Sequence, residues 1–68
     1  MKVGSLVLSI CSIEEDGAEV CRPGDRGRVE FVEDNGVPLV RFERTGMASI
    51  VDPDTEIVTT RHAALAMV

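Results

Sequence analysis

Residues 26–42 read Arg26-Gly27-Arg28-Val29-Glu30-Phe31-Val32-Glu33-Asp34-Asn35-Gly36-Val37-Pro38-Leu39-Val40-Arg41-Phe42, and the turn at the centre of this stretch decides the fold. Asn-Gly is favoured in two-residue hairpin loops of type I′, because both central residues take positive φ and few residue types do so without strain. Such a loop fixes the register of both arms. With Asp34 opposite Val37, Phe31 falls opposite Val40 and Val29 opposite Phe42, so four apolar side chains share one face. The other face pairs Glu30 with Arg41 and Arg28 with Glu43. Each such cross-strand pair of opposite charges is worth roughly a few tenths of a kcal/mol. Pro38 falls opposite Glu33 in a non-hydrogen-bonded pair, where its missing N–H removes no ladder bond.

Outward from this hairpin, the turn signals recur at short intervals. Asp16-Gly17, Pro23-Gly24 with Gly27, Thr45-Gly46 and Asp52-Pro53-Asp54 punctuate runs of β-branched and apolar residues. That pattern belongs to an all-β domain of short strands. The strands expected are Leu6 to Ile13, Gly27 to Glu33, Val37 to Arg44, Met47 to Val51 and Glu56 to Thr59. A three-residue loop Arg44-Thr45-Gly46 places Phe42 opposite Ala48 and Val40 opposite Ile50. The predicted core stripe is therefore Val29, Phe31, Val40, Phe42 and Ile50. The first strand has apolar residues on both sides, which predicts a bend or bulge. Asp52-Pro53-Asp54-Thr55 predicts one 3₁₀-like turn, since Asp caps and Pro tolerates the first helical position.

Length and charge bound the function. Sixty-eight residues hold one domain with a thin core, which disfavours a large internal active-site cavity. Twelve acidic against seven basic residues give a net charge of −5. Affinity for nucleic acid through phosphate neutralisation needs the reverse balance. The basic residues are mostly arginine, at Arg22, Arg26, Arg28, Arg41, Arg44 and Arg61, the side chain suited to bidentate carboxylate or phosphate contacts. The longest apolar stretch falls far short of the ~18 residues that cross a membrane. No export signal is read at Met1-Lys2-Val3, so the expected location is the cytoplasm.

The segments in chain order resemble the SH3-like small β-barrel superfamily. The residues carrying the resemblance are Gly4-Ser5 and Val7, Pro23-Gly24 with Gly27 and Val29, Val32, Gly36 and Pro38, Val40-Arg41-Phe42-Glu43, and finally Ile50 and Glu56. The chain looks most like accessory barrels of redox enzymes, of the stromal photosystem I subunit type, and like several uncharacterised bacterial domains with a Pro-Gly-x-x-Gly-x-Val element. That element is also similar to the KOW motif of ribosomal and transcription-associated proteins. The resemblance implies a five-stranded SH3-like barrel over residues 1–60, with a long first loop, one 3₁₀-like turn and a C-terminal tail at 61–68 that is flexible or one helical turn. Peptide-gripping SH3 domains use Tyr and Trp, and this chain has neither.

No catalytic, cofactor-binding or metal-binding constellation is read. His62 is the sole histidine, in the tail, and Cys11 and Cys21 form neither a redox pair nor a zinc set. Gly24 to Gly27 lacks the Lys-Ser/Thr of a phosphate loop, and Asp52 with Asp54 falls short of a calcium loop. The expectation is a non-enzymatic accessory or adaptor protein with a protein partner, as monomer or homodimer, without cofactor, nucleic acid or membrane. The expected partner-binding residues are Glu14, Glu15, Asp16, Glu19, Arg22, Arg28 and Arg41, in the Glu14 to Arg22 loop and on the charged sheet face. The alternative is a nucleic-acid-associated KOW-like barrel, or an acidic competitor of nucleic acid for a basic protein. Both thiols are expected reduced and metal-free in cytosolic protein; native mass spectrometry checks this, and a zinc adduct or a reductant-sensitive deficit of about 2 Da from a disulfide would contradict it.

Overall fold

The computed structural model describes residues 1–59; the expected 61–68 tail, with His62, lies outside them. The described residues form strands and turns without a helix, and therefore no helix long and apolar enough to cross a membrane. Seven strands follow one another: β1 (Leu6–Ser9), β2 (Ile13–Glu15), β3 (Ala18–Cys21), β4 (Arg26–Val32), β5 (Pro38–Phe42), β6 (Ala48–Ile50) and β7 (Ile57–Thr59). Five of them make a curled antiparallel sheet in the order β6-β5-β4-β1-β7, and β2 pairs with β3 as a separate hairpin.

The all-β architecture and the meander β4-β5-β6 match the sequence reading, whereas the register does not. The Asn35-Gly36 turn is a three-residue loop, Asp34 to Gly36, between a Glu33–Val37 pair joined by Glu33 N–H to the Val37 carbonyl at 2.9 Å. Gly36 takes φ +87° but Asn35 does not take a positive φ, so type I′ is excluded here. The Asn35 side chain instead accepts the Val37 N–H at 3.0 Å, and the Gly36 N–H reaches the Glu33 carbonyl at 2.8 Å. A type I turn followed by a left-handed Gly is the alternative that the same dipeptide serves. The true type I′ turn is at Asp16 (φ 52°) and Gly17 (φ 79°), which join Glu15 directly to its partner Ala18. The expected long loop is therefore mostly β-hairpin, and the expected first strand ends at Ser9 before the chain re-forms as β2.

A bulge at Glu30 adds a second shift. Val29 pairs Val40, but the next pair is Phe31 with Leu39, then Val32 with Pro38. The extra residue lets Val29 and Val32 both turn toward the interior and sends Phe31 outward, 57 % exposed. The next loop is one residue longer than expected: the Phe42 N–H bonds the Met47 carbonyl at 2.9 Å, enclosing Glu43 to Gly46. Ser49 consequently faces Val40, and Ile50 turns outward, 49 % exposed. Phe31 and Ile50, expected in the core stripe, thus lie outside the core, which consists of Val7, Val20, Cys21, Val29, Val40, Phe42, Val51 and Ile57. Pro38 pairs with Val32 rather than Glu33, still on a side of β5 where β4 needs no N–H from it. Asp52 to Glu56 closes through a Glu56 N–H to Asp52 carbonyl bond at 2.9 Å, an i→i+4 turn where a 3₁₀-like one was expected.

Gly27 of β4 pairs with Phe42 of β5 and is packed closely against it. A Cβ there would stand 2.5 Å from Val40 Cγ1 and 3.0 Å from Phe42 Cδ1, so Gly27→Ala should overpack this point and cost about 1–3 kcal/mol. Phe42→Ala, which empties a fully buried site, should cost about 3–5 kcal/mol. Phe31→Ala should stay within about 1 kcal/mol, as an exposed site. Urea melts of the three variants check the assignment, and a Phe31 effect as large as that of Phe42 would contradict it.

Candidate functional site

The β2–β3 hairpin is carried by its own core residues. Val20 and Cys21 are buried and Ile13 packs against the same cluster, which leaves the carboxylates of Glu14, Glu15, Asp16 and Glu19 on the exposed side. Two of these four are already engaged within the domain. Glu15 Oε1 accepts the Ser49 hydroxyl at 2.5 Å, tying the hairpin to β6. Glu19 accepts from Arg22 at 3.1 Å and from Arg44.

Arg44 organises the cluster. Its guanidinium also meets Asp25 at 2.8 Å, while the Asp25 carboxylate accepts the Arg22 backbone N–H at 3.0 Å. The Thr45 hydroxyl donates to the Val20 carbonyl at 2.6 Å beside it. The hairpin, the loop before β4 and the β5–β6 loop are thereby joined at one point. Hydrogen bonds from Arg44 hold the Asp25 and Glu19 carboxyls below the usual carboxylate range, and raise the Arg44 guanidinium in turn. The pairing of Arg44 with Asp25 is not legible in the sequence, since nineteen residues separate them and no local pattern couples two loops that distant.

The second group of expected residues lies on the outer face of the sheet. Arg41 pairs with Glu30 as expected, with a second bond at 3.3 Å, and donates to the Gly46 carbonyl at 2.6 Å. The expected Arg28–Glu43 pair does not form. Arg28 lies directly across from Arg41 and donates to the Gly4 carbonyl at 3.1 Å, while Glu43 stands 3.8 Å from Arg26. Arg28, Glu30, Arg41, Phe42, Glu43 and Gly46 line an open groove of about 280 Å³. Beside it runs an apolar row, Phe31, Leu39 and Ile50, in register across three strands, with Phe31 and Ile50 exposed and Leu39 half-buried between them. The structure thus divides the expected residues into two places, with Glu14, Glu15, Asp16, Glu19 and Arg22 at the hairpin and Arg28 and Arg41 on the sheet face.

Cys11 and Cys21 are free thiols. Cys21 is buried 3.2 Å from the Ser9 hydroxyl. Cys11 is half-buried 3.8 Å from Glu56 Oε2, and burial followed by the Glu56 charge pushes its thiol above the ordinary value. A protonated thiol is a poor nucleophile and a poor metal ligand. Among the described residues no group of three or more His, Cys, Asp or Glu side chains is placed to hold a metal ion.

No family model matches the chain, and neither a curated protein nor a solved structure matches it.

The depressed Asp25 and Glu19 carboxyls give a signed pH dependence. Their contribution to stability is present above the unfolded carboxylate range and is lost as pH falls through their lower folded values. Arg44→Gln should therefore destabilise the domain at neutral pH and flatten the loss of stability on acidification. Thermal melts from neutral pH to about pH 2, below the ordinary carboxylate range, check this; equal acid sensitivity in both proteins would contradict the role of Arg44.

Proposed function

We propose that the chain is an SH3-like small barrel acting as a non-enzymatic accessory or adaptor protein, which binds another protein through the outer face of β4, β5 and β6 together with the acidic β2–β3 hairpin. The barrel reading is supported by the sheet order β6-β5-β4-β1-β7, in which the first and last strands pair and a hairpin is inserted between the first two sheet strands. The observation that carries the function is the mixed outer face. Arg22, Arg26, Arg41 and Arg44 each meet a carboxylate, so a phosphate backbone would meet acids interleaved with guanidinium groups. The apolar row of exposed Phe31, half-buried Leu39 and exposed Ile50 lies alongside. An apolar centre with a charged surround is the anatomy of a protein–protein contact.

The expected result is no measurable association with duplex DNA or single-stranded RNA at about 150 mM salt, where exposed charges are screened beyond ~8 Å. Affinity capture from native extract should return a protein whose retention is lost with Arg41→Glu, a change that replaces attraction by repulsion at the face. Low-micromolar polyanion binding that falls steeply with salt would overturn the adaptor reading in favour of a KOW-like one.

A further inference from the structure

The outer face of β4, β5 and β6 is striped. Its middle row is Phe31, Leu39 and Ile50, set side by side by the register. On the Gly46 side the next row is Arg28, Arg41 and Ala48. On the opposite side Glu33 pairs with Val37, and Asp52 stands two residues beyond Ile50. On the first flank Arg28 is, among the described residues, the guanidinium that no ion pair of its own chain engages, since Arg41 is held by Glu30 on the same side; the other flank carries the carboxylates of Glu33 and Asp52. Arg41 and Val37 are each two residues from Leu39, so the flanking rows lie roughly 6.6 Å to either side of the stripe at ~3.3 Å per residue.

That equal spacing makes the face complementary to itself. A twofold axis laid along the Phe31–Leu39–Ile50 row turns the face over, places stripe on stripe and exchanges the two flanks. Arg28 then comes over Glu33 of the second copy, while Arg41, between Glu33 and Asp52 of the second copy, keeps its own Glu30. Sheets packed face to face stand about 10 Å apart, a gap that an arginine and a carboxylate side chain span between them. Among the described residues Arg28, Glu33 and Asp52 make no ion pair within their own chain. Asp52 Oδ1 accepts the Asp54 N–H at 2.8 Å, which fixes the carboxylate at the turn.

The geometry points to a homodimer in which this face is the docking surface for a second copy of the chain, packed about a twofold axis along the apolar stripe. The assignment rests on the reading of the face as protein-binding, and names its partner. A twofold contact requires one patch to match itself, with residue i meeting j and j meeting i. Arg28 and Glu33 meet that requirement. The match of Arg28 to Glu33, made twice about the axis, and the buried stripe offset the repulsion between two chains of net charge −5.

Sedimentation equilibrium of the full chain from about 10 µM to about 1 mM, a range that spans weak association, tests the dimer. The expected mass rises to that of two chains. Phe31→Asp places an unpaired charge in the centre of the contact and should weaken dimerisation by at least about tenfold. Arg28→Glu should weaken it about fivefold or more, and Arg28→Glu combined with Glu33→Arg should restore it to within about threefold, because the twofold contact re-forms with its ends exchanged. Both positions are exposed, and circular-dichroism melts verify that the variants remain folded. A monomer throughout the range would overturn the homodimer, as would a dimer that Phe31→Asp and Arg28→Glu leave intact. A monomer that also binds no polyanion would remove the homodimer alone, whereas steeply salt-dependent polyanion binding would remove the protein-binding reading with it.

Discussion

Strand β4 is the element that the rest of the sheet depends on, because it pairs on both sides, with β5 along one edge and β1 along the other. The extra residue at Glu30 sets which of its side chains reach the interior. Before the bulge, Gly27 and Val29 alternate inward; after it, the inward position passes to Val32 and the large ring of Phe31 is left outside. Gly27 contributes by what it lacks, since Val40 and Phe42 fill the space a side chain would occupy. The result is a core built largely of valine around a single buried aromatic ring, Phe42. Close-packed interiors of this kind transmit any change of register to every layer.

How much of this was legible follows from which signals are unique. The all-β class, the three-stranded meander, the burial of Val29, Val40 and Phe42 and the short last strand follow from turn residues and β-branched runs. The register did not follow, because a Gly in the last loop position serves two-, three- and four-residue hairpin loops alike. At Asn35-Gly36 the asparagine spends its side chain on the Val37 N–H, whereas Asp16 adopts the left-handed backbone itself. Nothing in either dipeptide foretells that choice. The bulge at Glu30 was equally silent, since Val-Glu-Phe-Val reads as plain alternation. One shift at the turn and one at the bulge moved Phe31 from core to surface, and a longer second loop moved Ile50 with it. The apolar stripe of the candidate site was hidden by those same two displacements.

The electrostatics of the site were legible in kind and not in detail. Opposite charges crossing between β4 and β5 were expected, and Glu30 with Arg41 fulfils that pattern. The larger cluster gathers Glu19 from strand β3, Arg22 and Asp25 from the loop before β4, and Arg44 from the β5–β6 loop. Its bonds are among exposed or half-exposed groups, where individual ion pairs contribute little. What the cluster does is fix relative positions: a hairpin outside the main sheet is anchored to the sheet's own loops by side chains that share acceptors. Its acidic tip, Glu14 and Asp16, is thereby presented at a defined place beside the sheet.

The outermost strands of the sheet, β6 and β7, are three residues each among the described residues. Edges this short offer few free backbone groups to an incoming strand, which is one of the ways natural sheets avoid open-ended fibre growth. The proposed docking surface lies instead on a broad side of the sheet. A self-matching side is consumed once two molecules meet on it, so association there closes at two and has no means to propagate. In the proposed dimer the small domain is thus sociable with limits: it joins on one side and stays blunt at the rims where amyloid-like stacking would begin.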